Sequence, residues 1–251
     1  MLHLYTTLFY QPLFNLLVWI YNILPTHDMG LAIILLTILV KVLLFPFTWK
    51  QLKAQEALQE MQPKLDGLKE QYKDDKQGLV QAQMALFKEH KVNPASSCLP
   101  LLIQFPFLIA LYRVFISGLN SKSLELLYPF VYNPEHLGNT LLGILPLHTA
   151  NIPLAVLAAG VQFWQGKMML AKRPPKNLQK LPGAKDEDMA AMMSKQMMYM
   201  MPMMTLFLGT TLPAGLVLYW FMQTILTIGQ QYLIKVIAKK KPMLEEIAKV
   251  S

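Results

Sequence analysis

A single lysine, Lys41, lies inside an apolar stretch that is long enough to be a membrane-spanning helix. The stretch reads LAIILLTILVKVLLFPF, from Leu31 to Phe47. A charged side chain near the middle of such a helix costs about 3 kcal/mol on insertion scales. Thr37 and Thr48 are expected on the same helical face as Lys41. The pattern therefore predicts a cation with polar neighbours, placed where an anionic group could reach it.

The other apolar stretches carry similar rows of polar side chains. Gln104 follows Ser97 by seven residues, and Gln162 follows Asn151 by eleven. In the last stretch, polar residues recur every three or four positions, at Tyr219, Gln223, Thr227 and Gln230. Because helices that bury polar groups turn them toward one another or toward water, these rows predict a wet groove that contains Lys41.

Two simpler interpretations of these polar residues remain open. The Lys41 stem could let its ammonium reach toward the nearer membrane surface, about 12 Å away along the helix. Scattered Gln and Thr also form ordinary hydrogen bonds between membrane helices. However, the apolar stretches contain no Asp or Glu that could neutralise Lys41 or carry protons or sodium. We therefore expect its counter-charge to come from outside the chain.

Composition indicates a polytopic membrane protein. The 251 residues are 54% hydrophobic and 15% charged, whereas about 25% charged is usual for soluble domains. The single cysteine, Cys98, excludes an internal disulfide and a CxxC metal site, and the five histidines show no metal-binding spacing. The sequence also contains no Gly-rich phosphate loop and no nucleophile elbow. We predict no enzyme activity, no cofactor and no metal.

Five apolar segments form the predicted membrane core of an all-α fold. They lie at about residues 29–49, 97–116, 152–170, 197–212 and 216–237, of which the fourth is short for a span. Twenty of the 23 basic residues fall in three blocks, at 50–91, 167–195 and 235–249. The positive-inside rule places all three in the cytoplasm only if the short segment also spans. The N-terminus is then extracytoplasmic and the C-terminus cytoplasmic.

Residues 1–25 allow three interpretations. A signal peptide is disfavoured because the stretch has no Lys or Arg and no clear small-residue cleavage site. A sixth span would place Met1 in the cytoplasm without a flanking positive charge. The favoured interpretation is an interfacial helix with one apolar face. That face comprises Leu13, Leu16, Leu17 and Ile20, and the other faces are interrupted by Gln11, Asn15 and Asn22.

Residues 50–95 contain eight basic and seven acidic side chains and differ sharply from the apolar segments. Apolar residues recur at helical spacing on both sides of a break at Asp74–Gly78, and Pro63 should kink or restart the first arm. This pattern predicts a cytoplasmic helical hairpin. It is either a solvated spacer or a docking arm for a cytoplasmic partner.

Nine of the 17 methionines lie between Met189 and Met204. They either pack in the membrane core or form an adaptable surface for varied apolar partners.

Several stretches together resemble the YidC/Oxa/Alb family of membrane protein insertases, most of all the core of its bacterial YidC members. These stretches are QPLFNLLVWIYN, GLAIILLTILVKVLLFPFT, MQPKLDGLKEQYKDDKQ, LFKEHKVNPASSCLPLLIQFPFLIALY and PAGLVLYWFMQTILTIGQQYLI. The resemblance implies five transmembrane helices around a hydrophilic groove that is open to the cytoplasm and to lipid. It also implies an interfacial helix at 1–25 and an insertase core at 26–251, including the hairpin at 50–95.

The resemblance also assigns the groove cation to Lys41, where the family usually has an arginine. Lysine keeps the charge but lacks the planar fork with which arginine binds a carboxylate through two bonds. Trp220 replaces a second aromatic residue of the family pattern. The full set of predicted groove residues is Lys41, Thr37, Gln104, Gln162, Tyr219, Trp220 and Gln223, with Gln162 included on its spacing alone.

The implied function is insertion of nascent membrane proteins into the bacterial inner membrane, without nucleotide chemistry. The expected partners are the ribosome, the Sec translocon and the lipid bilayer, and we expect a functional monomer that binds no specific nucleic acid. Two alternatives follow from the residues. One is a transporter that uses Lys41 as an anion site, although its usual inverted repeats are not evident. The other is a membrane anchor that presents the 50–95 hairpin.

Overall fold

The computed structural model describes residues 2–72, 75–90, 99–116, 124–169 and 188–250. Several sequence predictions lie wholly or partly outside these residues, among them the break near Asp74, the end of the hairpin at 91–95, Ser97, Cys98 and much of the basic block at 167–195. The described chain is mostly helical, in agreement with the prediction of an all-α protein. The main exception is the stretch between residues 125 and 151, which consists of turns and loops around one short antiparallel ladder.

The described elements follow one another in a simple order. The helices are α1 (Leu2–Tyr5), a π-helical turn (Thr6–Tyr10), α2 (Gln11–Ile23), α3 (Met29–Leu43), α4 (Phe45–Gln71), α5 (Lys76–Glu89), α6 (Leu99–Ile116), α7 (Ile152–Met169), α8 (Asp188–Gly209) and α9 (Ala214–Val250). Strands β1 (Thr140–Leu141) and β2 (Leu145–Pro146) lie between α6 and α7 and pair antiparallel, with Leu141 opposite Leu145.

Two compact units make up the chain. The first comprises Met1–Phe45, Leu101–Gln162 and Met201–Gly229, and it contains every predicted groove residue. Its core is formed largely by buried residues of α2, α3 and α9. The second comprises Pro46–Pro100, Phe163–Met200 and Gln230–Ser251.

In the second unit, one side-chain contact joins α4 to the end of α5. Lys64 Nζ on α4 is 2.9 Å from the Nε2 atom of His90, which follows α5. Met61 and Leu65 on α4 are buried, whereas Val80 and Met84 on α5 are exposed, so the predicted hairpin stays a prediction. Pro63 lies inside α4, which continues through it as one helix rather than restarting.

The segment predicted as the first span is broken at Leu44. α3 ends at Leu43 and α4 begins at Phe45. Pro46 explains the break, because proline has no amide hydrogen to donate and its ring clashes with the carbonyl four residues earlier. The prediction that Thr48 shares a helical face with Lys41 was wrong, since helical phase is not carried across the break.

Within the described residues, no helix by itself has both the length and the apolar character needed to cross a membrane. Met29–Leu43 and Phe45–Ala54 meet these criteria only as a pair, with a bend of 68° between them. Tyr199–Gly209 is apolar but shorter. The arrangement of five spans and its orientation therefore stay predictions.

The N-terminal helix α2 packs into the core of the first unit. Phe14, Leu17 and Val18 are almost completely buried. Asn15, which the amphipathic pattern placed away from the apolar face, is buried with them. Its side-chain amide donates to the Leu126 carbonyl at 3.0 Å, and its oxygen accepts from the Tyr128 N–H at 2.6 Å. Helical phase could not reveal this, because both partners come from a distant part of the chain.

Residues 124–151, here called the α6–α7 connection, are fixed to the start of α3. Asp28 caps α3 by accepting from the Leu31 N–H at 2.8 Å. The other oxygen of the same carboxylate accepts from the Leu142 N–H at 2.5 Å. Asp28 therefore joins the β1–β2 hairpin to the first turn of α3.

The α6–α7 connection also satisfies the first turn of α9. The carbonyl of Thr149 accepts from the Ala214 N–H at 2.8 Å, and the carbonyl of Leu147 accepts from the Gly215 N–H at 2.9 Å. These N–H groups have no acceptor within their own helix, and the carbonyl groups of the connection provide one for each.

Candidate functional site

Lys41 lies in the last turn of α3 and is almost completely buried. Its Nζ donates to Thr227 Oγ1 on α9 at 2.7 Å. The C-terminal end of a helix carries partial negative charge, which favours a cation at this position. Among the described residues, no carboxylate forms an ion pair with Lys41. The ammonium is therefore hydrogen-bonded to a neutral hydroxyl rather than neutralised by a carboxylate.

Thr227 makes a second contact that orients its hydroxyl group. Its Oγ1 donates to the Gln223 carbonyl at 2.8 Å. A hydroxyl has one hydrogen and two lone pairs, so the hydrogen is directed to Gln223 and a lone pair to Lys41. Thr227 therefore acts purely as an acceptor toward the ammonium.

Three further polar side chains connect α6 to α9. Gln104 Nε2 donates to Tyr219 Oη at 2.5 Å, and Gln223 Nε2 donates to Gln104 Oε1 at 2.9 Å. The backbone carbonyl of Gln223 also accepts from Thr227, so Gln223 links these bonds to Lys41 through its own covalent structure. We call this connected set, from Tyr219 through Gln104, Gln223 and Thr227 to Lys41, the polar ladder.

Helical spacing explains why α9 supplies three members of the ladder. Tyr219, Gln223 and Thr227 follow one another at four-residue intervals, so they lie on one side of the helix. Thr224 belongs to another side. It is buried, and its hydroxyl donates to the Trp220 carbonyl one turn earlier, at 2.8 Å.

Three predicted groove residues are not joined to the ladder. Thr37 is buried and donates to the carbonyl of Ile33 in its own helix at 2.6 Å. Gln162 has a buried Oε1 atom with no hydrogen-bond partner in the described part of the chain. Trp220 is partly buried and packs against the apolar core of the first unit.

Thr227 is the ladder member that the sequence-based set of groove residues missed. The signal was present, since Thr227 was part of the polar row on the last apolar stretch. Its partner could not be identified, because α3 and α9 are separated by most of the chain.

The chemistry available to the ladder is that of binding. Lys41 is its one charged member, and the others offer uncharged donors and acceptors. Within the described residues, no group of three or more His, Cys, Asp and Glu side chains could hold a metal ion. The arrangement can attract an anionic group and can solvate polar backbone in otherwise apolar surroundings.

Comparison with known proteins gives a consistent match along the chain. Residues 19–241 match the family model described as 60Kd inner membrane protein. A Pelobacter propionicus protein named membrane protein insertase YidC is 36% identical over 231 residues, which are 90% of this chain but only 38% of that protein.

Two relatives of the same name are similar to this chain over most of their own length. The Fusobacterium nucleatum protein is 35% identical over 82% of this chain and 86% of its own length. The Clostridium tetani protein is 33% identical over 86% of both chains.

Proposed function

Because this chain belongs to the YidC/Oxa/Alb family of membrane protein insertases, we propose that it inserts nascent membrane proteins into the bacterial inner membrane and assists their folding. The name shared by its relatives supports an insertase and does not support a transporter. The observation that carries the proposal is the polar ladder, in which one buried cation is solvated but not neutralised.

The first proposed step is the entry of a short hydrophilic substrate tail into a groove lined by the ladder. Lys41 has three N–H donors, and Thr227 engages one of them. The remaining donors are suited to a carboxylate on the tail. Opposite unit charges 4 Å apart attract by about 4 kcal/mol at an effective dielectric of 20, against about 1 kcal/mol in water. Acidic tails therefore gain most from this site.

The second proposed step is the release of the apolar substrate helix into lipid. The helix leaves along the third and fifth predicted spans, and burial of its apolar surface in lipid drives the transfer. The short fourth predicted span would thin the bilayer locally and lower the barrier for the hydrophilic tail. No nucleotide is consumed.

Methionines on α8 support an adaptable apolar surface for the substrate. Met200, Met203 and Met204 are exposed. Their unbranched side chains can repack around different apolar helices.

The wider setting is part of the same proposal. Five spans surround the groove, residues 1–25 lie at the membrane surface, and the 50–95 hairpin lies in the cytoplasm. The N-terminus is extracytoplasmic and the C-terminus cytoplasmic. The protein works as a monomer beside the ribosome and the Sec translocon. The three basic blocks support this orientation.

The proposed role of Lys41 can be tested with Lys41→Arg, Lys41→Ala and Lys41→Glu variants. The substrate is a single-span protein with an acidic tail, and insertion is measured by protease protection of that tail. We expect Lys41→Arg to support insertion and Lys41→Ala to reduce it by about tenfold, which corresponds to about 1.4 kcal/mol. Lys41→Glu should reduce insertion further, because it would repel the acidic tail. If Glu inserts the acidic tail as well as Lys does, the electrostatic step is contradicted.

The matched control is the same substrate with the tail acids replaced by their amides. Its insertion should change little among the Lys41 variants. Equal losses with both tails would show a general loss of activity rather than a loss of charge attraction. The melting temperature of each purified variant shows whether such a loss of activity comes from unfolding.

A further inference from the structure

The tip of the β1–β2 hairpin points apolar side chains away from the protein. Leu142 is 63% exposed and Ile144 is 84% exposed. The neighbouring residues Leu141, Leu145 and Leu147 instead pack against the core of the first unit. The hairpin therefore has an inner apolar side that stabilises the fold and an outer apolar tip that does not.

The turn at this tip has an exposed leucine at a position where a polar residue or glycine is usual. Leu142 and Gly143 have φ values of 53° and 70°, and the Ile144 N–H donates to the Leu141 carbonyl at 3.0 Å. Turns whose two central residues both have positive φ values usually carry Asn-Gly or Asp-Gly at those positions. Leucine is disfavoured in this conformation, and a polar residue would suit both the turn and water. An exposed leucine here indicates an apolar environment.

The residues around the tip agree with that environment. The eleven residues from Leu137 to Leu147 contain no charged side chain. Earlier in the α6–α7 connection, Phe130 and Tyr132 are also strongly exposed. Aromatic and aliphatic side chains in such combinations are typical of the boundary between lipid and water.

The depth of the tip is set by its attachment to α3. The Leu142 N–H donates to Asp28, which caps the first turn of α3. The apolar part of α3 begins directly after this cap, at Met29. The tip therefore lies at the level where α3 changes from polar to apolar surroundings.

We propose that Leu142 and Ile144 insert into lipid at the membrane surface where α3 begins. We expect lipid acyl chains to surround the tip, because Leu142 and Ile144 are exposed and the residues from Leu137 to Leu147 carry no charge that would attract a polar partner. The inserted tip holds the α6–α7 connection, and with it the start of α3, at a fixed depth. This proposal requires a membrane location but not the charge-attraction step at Lys41.

The test uses a fluorescent probe at single cysteines in full-length protein with the Cys98→Ser change. An NBD group is attached to Ile144→Cys or, as the matched control, to the exposed polar position His136→Cys of the same connection. The proteins are reconstituted in phosphatidylcholine and phosphatidylglycerol vesicles, with or without lipids that carry a nitroxide near the top of the acyl chain.

We expect the probe at position 144 to emit at shorter wavelength and to be quenched several-fold more by the nitroxide lipid than the probe at position 136. A water-like emission at 144, with quenching equal to that at 136, would overturn the proposal. A shift to shorter wavelength without quenching would also overturn it, because it would show that protein rather than lipid covers the tip. Unchanged melting temperatures would confirm that both labelled proteins are folded.

Discussion

At the scale of single residues, Lys41 is held in a way that keeps its charge available. Its partner Thr227 is a neutral acceptor whose own hydrogen is directed to the Gln223 carbonyl. A carboxylate at this place would neutralise the ammonium, and an apolar residue would leave it unsolvated. A lysine suits this site because a compact ammonium can share one hydroxyl, whereas arginine presents five donors in a plane.

Replacement of Thr227 should therefore weaken charge recognition. We expect Thr227→Val, which removes the acceptor at nearly constant volume, to lower insertion of an acidic tail by several-fold relative to an uncharged tail. Thr227→Ser should restore the ratio, because serine keeps the hydroxyl. The ratio of the two insertion yields, measured by protease protection, is the readout.

Thr224 provides a matched control for that substitution. It is a buried threonine on the same helix, and its hydroxyl donates to its own helix at the Trp220 carbonyl. Thr224→Val should leave the ratio of acidic to uncharged tails unchanged. If both valine variants change the ratio equally, Thr227 has no specific role in positioning Lys41.

At the scale of elements, the start of α3 packs so closely on the β1–β2 hairpin that Gly30 has no room for a side chain. A Cβ atom added to Gly30 would lie 2.8 Å from the Leu141 Cα, which is a backbone atom. The contact can be relieved only by movement of the hairpin or of α3. Gly160 in α7 differs, because an added Cβ would meet no atom within 4 Å.

This difference predicts opposite effects for two identical substitutions. Gly30→Ala should destabilise the protein by about 1–3 kcal/mol, since it overpacks a tight contact. Gly160→Ala should be neutral or stabilising by about 0.5–1 kcal/mol, because alanine is the better helix former. Thermal unfolding of both purified variants in detergent measures the difference. A Gly30→Ala protein as stable as Gly160→Ala would show that the hairpin does not pack tightly on α3.

At the scale of the whole molecule, charge distribution predicts how the protein lies in the membrane. The basic blocks occupy residues 50–91, 167–195 and 235–249, whereas the α6–α7 connection has no Lys or Arg. Lysine and arginine are retained on the cytoplasmic side, so this asymmetry predicts opposite sides for the connection and the hairpin.

Cysteine accessibility in intact cells tests this orientation. In protein with the Cys98→Ser change, we expect His136→Cys to react with a membrane-impermeant maleimide added outside. Met84→Cys, an exposed position on α5, should react only after the membrane is made permeable. Reaction of Met84→Cys in intact cells, with protection of His136→Cys, would reverse the predicted topology.

Local sequence features were sufficient for several parts of this structure. Hydropathy and helical period predicted an all-α protein, and the four-residue spacing of Tyr219, Gln223 and Thr227 placed them on one side of a helix. The break at Leu44 was missed, although Pro46 gave a local signal for it. These features can be read from sequence because they depend on residues only a few positions apart.

The tertiary structure alone decided which polar groups meet. It paired Lys41 with Thr227 and Gln104 with Tyr219, left Thr37 bonded within its own helix, and buried Asn15 against the α6–α7 connection. Each pairing depends on how helices rotate and cross, which is set by packing along their whole length. The sequence by itself determined which residues could take part in a polar site, and the packing of distant helices decided which of them do.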